Sequence, residues 1–159
     1  MYAPERHQQI LETARAQGRV DVAGRFREED RKALGLPEIK YASGVVTAAV
    51  GYTSFVDGRS EIIVKGDLKE AELNAPLWGW RKPLNEPGDV YLFVKVQKDG
   101  SMVFEDVRLT TPKIQLQAGV TPNADFTDVR NVELRNFEYA GNQMQGTVRR
   151  IESGGYDIR

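Results

Sequence analysis

The sequence predicts a mainly β fold, an antiparallel sandwich or barrel preceded by an N-terminal helical arm. Two observations carry this prediction. Residues 89–109 consist of two alternating runs separated by Asp99-Gly100, a dipeptide typical of hairpin turns. Further short alternating runs, bounded by Gly, Pro, Asn and Asp, recur through residues 41–159. Their spacing is that of about six to eight short strands in a sandwich or barrel.

The hairpin at 89–109 also predicts its own register. With Asp99-Gly100 as a two-residue loop, Tyr91 lies opposite Arg108, and one face is apolar except for Glu105. Glu105 is therefore the candidate buried acid of the chain. A buried carboxylate with a raised pKa is a catalytic candidate, whereas one at a sheet edge or beside a cation is structural, and the structural interpretation is favoured.

The amino-acid composition excludes several classes of function. The chain has 159 residues, enough for one domain with an appendage, and its 22 Lys and Arg nearly balance its 23 Asp and Glu. This balance is unlike that of a general phosphate-backbone binder. The absence of cysteine excludes disulfides, thiol catalysis and zinc-thiolate sites, and the single His7 argues against a histidine triad. We expect no metal, no cofactor and no enzymatic activity.

Membrane association is not expected either. No apolar run approaches the length of about 20 residues that a membrane span needs, and the N-terminus lacks the apolar core of a secretory signal. The sequence therefore predicts a cytoplasmic or virion-associated protein.

The predicted domain boundary separates a helical arm at residues 1–40 from a β domain at residues 41–159. Strong helix formers occupy residues 4–17, between a proline suited to a first helical position and Gly18. After a short segment, the charged run 27–34 predicts a further helical turn or two.

Residues 1–26 resemble the opening of DeoR-type bacterial transcription regulators. The resemblance rests on Pro-Glu-Arg-His-Gln-Gln-Ile-Leu at 4–11 and Ala-Gln-Gly-Arg-Val-Asp-Val at 16–22. It implies the first helix and short strand of a winged helix-turn-helix, and hence a DNA-binding regulator. The chain departs from the family after residue 26, where too few residues remain for two further helices, and the α/β effector domain of the family is absent. Under this interpretation the nucleic-acid contacts fall on Arg19, Arg25, Arg27, Arg31 and Lys32.

The β domain begins with a second predicted hairpin, 45–56 and 61–65, in which Gly51 marks a bulge or a close backbone approach. Residues 67–74 predict a helical turn or an edge strand, and 75–88 a long loop. One short strand is predicted at 113–117.

A third hairpin is predicted from residues 129–139 and 144–151. Its loop is either Gly141-Asn142 or Asn142-Gln143, and the pattern does not choose between them. The tail at 154–159 predicts a final strand or a free end.

Aromatic residues of the 75–88 loop are the main binding candidates. In extended backbone Trp78 and Trp80 point the same way, with Arg81 beside them, and such a ledge stacks on a sugar, a nucleobase or a proline. The alternative, which we favour, is that the tryptophans plug the open end of the sheet or form a protein interface. Tyr52 is the further binding candidate.

These patterns favour a non-enzymatic binding or assembly module that acts through protein contacts or self-association, such as a structural subunit of a phage or another multi-subunit particle. Two alternatives stay open: a DNA-binding regulator that uses the DeoR-like segment, and a carbohydrate-binding or small-ligand domain that uses the Trp78/Trp80 loop. The identity of the partner, the ligand and the oligomeric state do not follow from the sequence.

Overall fold

The computed structural model describes residues 18–33, 41–76, 79–125 and 127–159, apart from the side chain of Arg31. The helix predicted at 4–17 and the side chain of Trp78 lie outside the described residues. Within them the chain forms one short helix and twelve strands: β1 (Arg19–Phe26), α1 (Glu28–Ala33), β2 (Ala42–Gly44), β3 (Val46–Ser54), β4 (Ser60–Asp67), β5 (Ala71–Ala75), β6 (Trp80–Lys82), β7 (Asp89–Val96), β8 (Met102–Thr110), β9 (Ile114–Pro122), β10 (Val129–Tyr139), β11 (Asn142–Arg150) and β12 (Tyr156–Ile158).

Nine of these strands form one antiparallel sheet in the order β1-β3-β4-β7-β8-β9-β10-β11-β12. The strands follow chain order apart from the omitted β2, β5 and β6, so the sheet is a meander; its two long connections, β1 to β3 and β4 to β7, contain the strands of the small sheet. Its two edges, β1 and β12, do not pair with each other. The mainly β, antiparallel prediction is confirmed, and the sheet is open, not closed into a barrel.

A small sheet, β2-β5-β6, packs on one face of the large one. Trp80 of β6 is buried in a cluster with Ile114 of β9 and Phe137 of β10. The remaining members are half-buried apolar residues from both sheets: Leu73, Ala75, Leu109, Leu116, Leu134 and Tyr139. The core therefore lies between two layers, as in a sandwich, with one layer much smaller than the other.

Residues 19–26, which the sequence places in the helical arm, form an edge strand of the large sheet. All eight residues of β1 pair in unbroken register with β3, from Arg19 opposite Thr53 to Phe26 opposite Val46. Val20 and Val22, followed by Gly24 and Phe26, occupy every second position and form the inward face of this strand. The helical turn predicted after it is confirmed as α1, whose first turn is acidic, as suits a helix N-terminus.

The hairpin of β7 and β8 is confirmed, but its turn is not the two-residue loop that the sequence predicts. The amide of Gln97 donates to the carbonyl of Ser101, and Gly100 adopts φ 82°. The loop is thus the three residues Lys98–Gly100, with the glycine in the left-handed conformation that closes such loops.

The register predicted for this hairpin is right far from the turn and wrong beside it. Tyr91 lies opposite Arg108, as predicted, whereas Val94 lies opposite Phe104. A β-bulge next to Glu105 accommodates the one-residue difference.

The third hairpin, β10 and β11, has neither of the predicted loops. Tyr139 pairs with Asn142, so the loop is Ala140-Gly141, and both residues have positive φ, 52° and 77°. This is the backbone of a type I′ turn. From the turn to Phe137, the predicted loops differ from the observed one by even shifts of register, which leave each side chain on its face of the sheet. A β-bulge between Leu134 and Phe137 makes the difference odd farther from the turn.

Three open predictions for the β domain are resolved. The run 67–74 is neither a helical turn nor an edge strand, because it contributes most of β5, the central strand of the small sheet, and the tail forms β12. Gly51 lies in a regular ladder and marks a close approach, because a Cβ there would lie 2.9 Å from an Asp21 carboxylate oxygen.

Candidate assembly surface

One face of the large sheet carries an apolar row that crosses all nine strands. Directly opposite residues of an antiparallel sheet point to the same face, so successive pairings define the row. Its members, in strand order, are Val20, Tyr52, Ile62, Val94, Phe104, Val120, Val132, Val148 and Ile158. Tyr52 thus belongs to the sheet face and not to the tryptophan loop.

The row is buried unevenly. Val20 and Val94 are buried, with 7% and 5% of their surface exposed, whereas Ile158 on the opposite edge strand is 75% exposed. Met144 of β11, which follows the buried Phe137 across the same face, is 51% exposed. The apolar face is therefore exposed to solvent at the β11–β12 edge.

Trp80 does not form an exposed ledge. Its indole is 6% exposed and packs in the core, and its Nε1 has no hydrogen-bond partner among the described residues. This placement corresponds to the alternative in which the tryptophan fills the sheet interior. Arg81 points outward and pairs with Glu72 at 2.8 Å.

The buried polar side chain of this region is Lys82, which sequence reasoning did not single out. It is wholly buried, and its Nζ donates to the carbonyls of Ala71 at 2.8 Å and Pro83 at 3.1 Å. Burial lowers the pKa of Lys82, and the nearby charge of Glu86 partly offsets this effect. Its stem fills the space beside Gly88, where a Cβ would lie 2.8 Å from the lysine Cε. The lysine thus ties β6 to β5.

Glu105 is not a buried acid. Its side chain is 42% exposed and lies 3.4 Å from the ammonium group of Lys95, which is 41% exposed. The bulge beside it breaks the alternation on which the prediction of an apolar environment depended. Glu105 therefore lies half-exposed beside a cation from the neighbouring strand.

The polar face of the sheet carries a network around Asp106. Arg108 donates to its carboxylate through Nε at 2.9 Å, and Gln117 of β9 donates at 3.2 Å. These hydrogen bonds, that of Arg108 above all, lower the pKa of Asp106. The guanidinium of Arg108 also lies 5.2 Å from the ring centroid of Tyr91, which confirms the predicted cross-strand contact.

A groove of about 660 Å³ lies at the β10–β11 end of the sheet. Among its lining residues, Arg130, Arg149 and Arg150 are basic and Glu152 is acidic, so the lining is basic on balance. Arg150 is held by Asp128 at 2.7 Å, which offsets part of this charge.

The basic residues of the DNA-binding alternative lie on and after the β1 edge, and those whose side chains are described have acidic partners. Arg19 contacts Asp21 at 2.9 Å and Arg25 contacts Glu70. The two basic residues that follow β1 have longer ion pairs: Arg27 lies 3.7 Å from Glu29, and Lys32 lies 3.8 Å from Glu28. The side chain of Arg31 lies outside the described residues. These carboxylates compete with a phosphate for the same cations.

Other kinds of site are not evident in the described part of the chain. It contains no group of three or more His, Cys, Asp or Glu side chains that is arranged to hold a metal ion. None of its helices is long and apolar enough to span a membrane. No family model matches the sequence, and neither a curated protein nor a solved structure gives a significant match.

Proposed function

We propose that the chain is a non-enzymatic assembly module, a β-rich subunit that works through protein–protein contacts in a multi-subunit particle such as a virion. The observation that carries the proposal is the open nine-stranded sheet, in which no described strand pairs with the outer side of β1 or of β12. An unpaired strand edge presents a row of backbone donors and acceptors that another chain can bind.

Exposed apolar side chains at the rim of the sheet support the same proposal. Ile158 prolongs the apolar row to the β12 edge, and Phe55 and Val56 at the tip of the β3–β4 hairpin are 42% and 110% exposed. Single exposed apolar residues are common on monomers. A residue that continues a buried row is different, because a partner that covers it extends an existing core.

Sedimentation equilibrium of the full chain, from about 1 to about 100 µM, tests the proposal, because association by mass action makes the mean mass depend on concentration. We expect species larger than one chain to accumulate as concentration rises. A single-chain mass across the whole range would contradict the proposed function.

A further inference from the structure

The outer edge of β1 offers an ordered set of backbone groups. The carbonyl of Gly18 accepts from the amide of Ser54 at 2.7 Å, so residue 18 directs its backbone groups toward β3. In an antiparallel pair this direction alternates along the strand. Even-numbered residues of β1 therefore bond to β3, and the amides and carbonyls of Arg19, Asp21, Ala23 and Arg25 point outward.

The odd number of strands in the large sheet favours one way in which a second copy can pair with this edge. All neighbours in the nine-stranded sheet are antiparallel, so β1 and β12, at the first and ninth positions, run in the same direction. If two copies joined head to tail with their apolar faces on one side, β1 would meet β12 in parallel. If β1 meets β1 of a second copy across a two-fold axis, the new pair is antiparallel, which is the commoner and slightly more stable arrangement.

Side-chain charge then selects the register. Two registers pair most of β1 with itself, one centred on Val22 and one on Ala23. Centring on Val22 places Arg19 opposite Arg25 of the second copy, which is repulsive. Centring on Ala23 places Asp21 opposite Arg25 of the second copy, twice by symmetry. It also places Arg19 opposite Arg27, but Arg27 lies just past the end of β1, so the attractive pairs lie inside the strand and the repulsive ones at its margin.

The register centred on Ala23 also suits both faces of the sheet. On the apolar face Val20 lies opposite Phe26 of the second copy, so the apolar layer continues across the axis. On the polar face, Asp21 and Arg25 are paired within the chain with Arg19 and Glu70, but their side chains are 64% and 60% exposed. Exposed ion pairs are weak, so both side chains can exchange these partners for each other across the new strand pair.

We propose that β1 is a homodimer interface, in which it pairs antiparallel with β1 of a second copy about a two-fold axis at Ala23, with Asp21 and Arg25 as reciprocal ion pairs. This inference rests on the proposed assembly function and names its partner. The two sheets then form one continuous sheet with its apolar face on one side.

Complementary charge variants test the register directly. Asp21→Arg places cations opposite each other at both charged pairs of its homodimer, and Arg25→Asp places anions there. Each variant alone is expected to dimerise at least about tenfold more weakly than the wild type, because like charges meet in the interface. An equimolar mixture restores opposite charges at both pairs, so a heterodimer of near wild-type affinity is expected. Sedimentation velocity, with one variant fluorescently labelled, measures both effects.

Two further variants make the test specific. Ala23→Pro removes an amide that does not bond to β3, so the sheet is retained while the centre of the interface loses its hydrogen bonds. Lys113→Asp, an exposed substitution between β8 and β9 that changes the charge as Arg25→Asp does, is the control and should leave the dimer unchanged. Circular dichroism on every variant confirms that the sheet is folded.

The outcomes separate the two proposals. If the wild type associates but the charge variants and Ala23→Pro associate equally well, the assembly function stands and the β1 interface is wrong. If each charge variant is monomeric by itself and the equimolar mixture is also monomeric, the register is wrong. A wild type that stays monomeric overturns both proposals.

Discussion

At the scale of single residues, the ammonium group of Lys82 joins two strands of the small sheet. Its ammonium group bridges the carbonyls of Ala71 and Pro83, and its stem occupies the space left by Gly88. A buried amine is costly to desolvate, but buried carbonyls without a donor are costly as well. The lysine is retained in the fold because it satisfies two acceptors at once.

Two substitutions of Lys82 distinguish the contribution of its packing to stability from the contribution of its hydrogen bonds. Lys82→Met keeps a long unbranched side chain but leaves both carbonyls without a donor, and we expect a loss of about 1–3 kcal/mol in the free energy of unfolding. Lys82→Ala also removes the packing of the stem, and a larger loss of about 2–4 kcal/mol is expected. Urea denaturation measures both, with the exposed Lys98→Met as control. Equal stability of wild type and Lys82→Met would contradict the assigned role.

The same lysine predicts a pH dependence. Because the pKa of Lys82 is lowered below its ordinary value of 10.5 in the folded state, the unfolded chain binds the proton more tightly between the two pKa values. The stability of the wild type relative to Lys82→Met should therefore rise with pH in that window and level off above 10.5. Urea denaturation of both proteins across this range measures the difference. Parallel pH profiles would show that the amine is not desolvated.

Asp128 is a second residue whose titration depends on one contact. Tyr156 donates its hydroxyl to the carboxylate at 2.5 Å, and this hydrogen bond is the largest cause of the lowered pKa of Asp128. Its contribution to stability is present above the ordinary pKa of 3.8 and is lost as pH falls through the lowered value. Tyr156→Phe should raise the pKa of Asp128, as measured by NMR titration of the carboxyl carbon. Tyr52→Phe is the control, and an unchanged Asp128 titration in Tyr156→Phe would contradict the prediction.

At the scale of elements, two glycines on the apolar face of the large sheet differ in how closely the neighbouring side chains approach them. A Cβ at Gly66 of β4 would lie 2.8 Å from a methyl group of Val90 and 3.3 Å from one of Val46. A Cβ at Gly24 of β1 would lie no closer than 3.7 Å to its nearest neighbour, the ring of Phe26. The two glycines belong to the same row of the sheet, so they form a matched pair.

We therefore expect opposite effects from the same substitution at these positions. Gly66→Ala should lower the free energy of unfolding by about 1–3 kcal/mol, because β-branched side chains on neighbouring strands must move. Gly24→Ala should be neutral or stabilising by up to about 1 kcal/mol, since it restricts the unfolded chain without a clash. Urea denaturation compares the two variants, and equal losses would show that crowding at Gly66 is not the cause.

Elements were predictable from sequence where the signal was local. Alternation and turn residues predicted all three hairpins, but not the bulge beside Glu105, because a bulge is fixed by the packing of the neighbouring strands. β1 shows the same limit: its alternating valines are visible in the sequence, but its partner, β3, is separated from it by the whole of residues 27–45. The same limit holds for Trp80, because its burial depends on Ile114 and Phe137 of the large sheet, which are distant in the chain. Lys82 is bonded to Ala71 of the neighbouring strand β5, and no turn or alternation in the sequence indicates that contact.

At the scale of the whole molecule, a large sheet is covered on one face by a much smaller one, so its edges carry much of its potential for contact. The meander gives it an odd number of strands, and the two edges therefore share one direction. Sheet edges tend to pair with other strands. The shared direction of the two edges, together with the charges of Asp21 and Arg25, favours one arrangement of that pairing.

Backbone hydrogen exchange provides an independent prediction for that arrangement. In a monomer the amides of Val20, Val22 and Gly24 are bonded to β3 and exchange slowly, whereas those of Asp21 and Ala23 face solvent and exchange fast. In the proposed dimer the outward amides gain partners, so their exchange should slow as protein concentration rises, while the inward amides change little. NMR-detected exchange at two concentrations, with Arg25→Asp as the weakly associating reference that keeps both outward amides, measures this alternation. If Asp21 and Ala23 keep the same rates while the mass doubles, the chains associate through another surface, because pairing at β1 cannot form without protecting these amides.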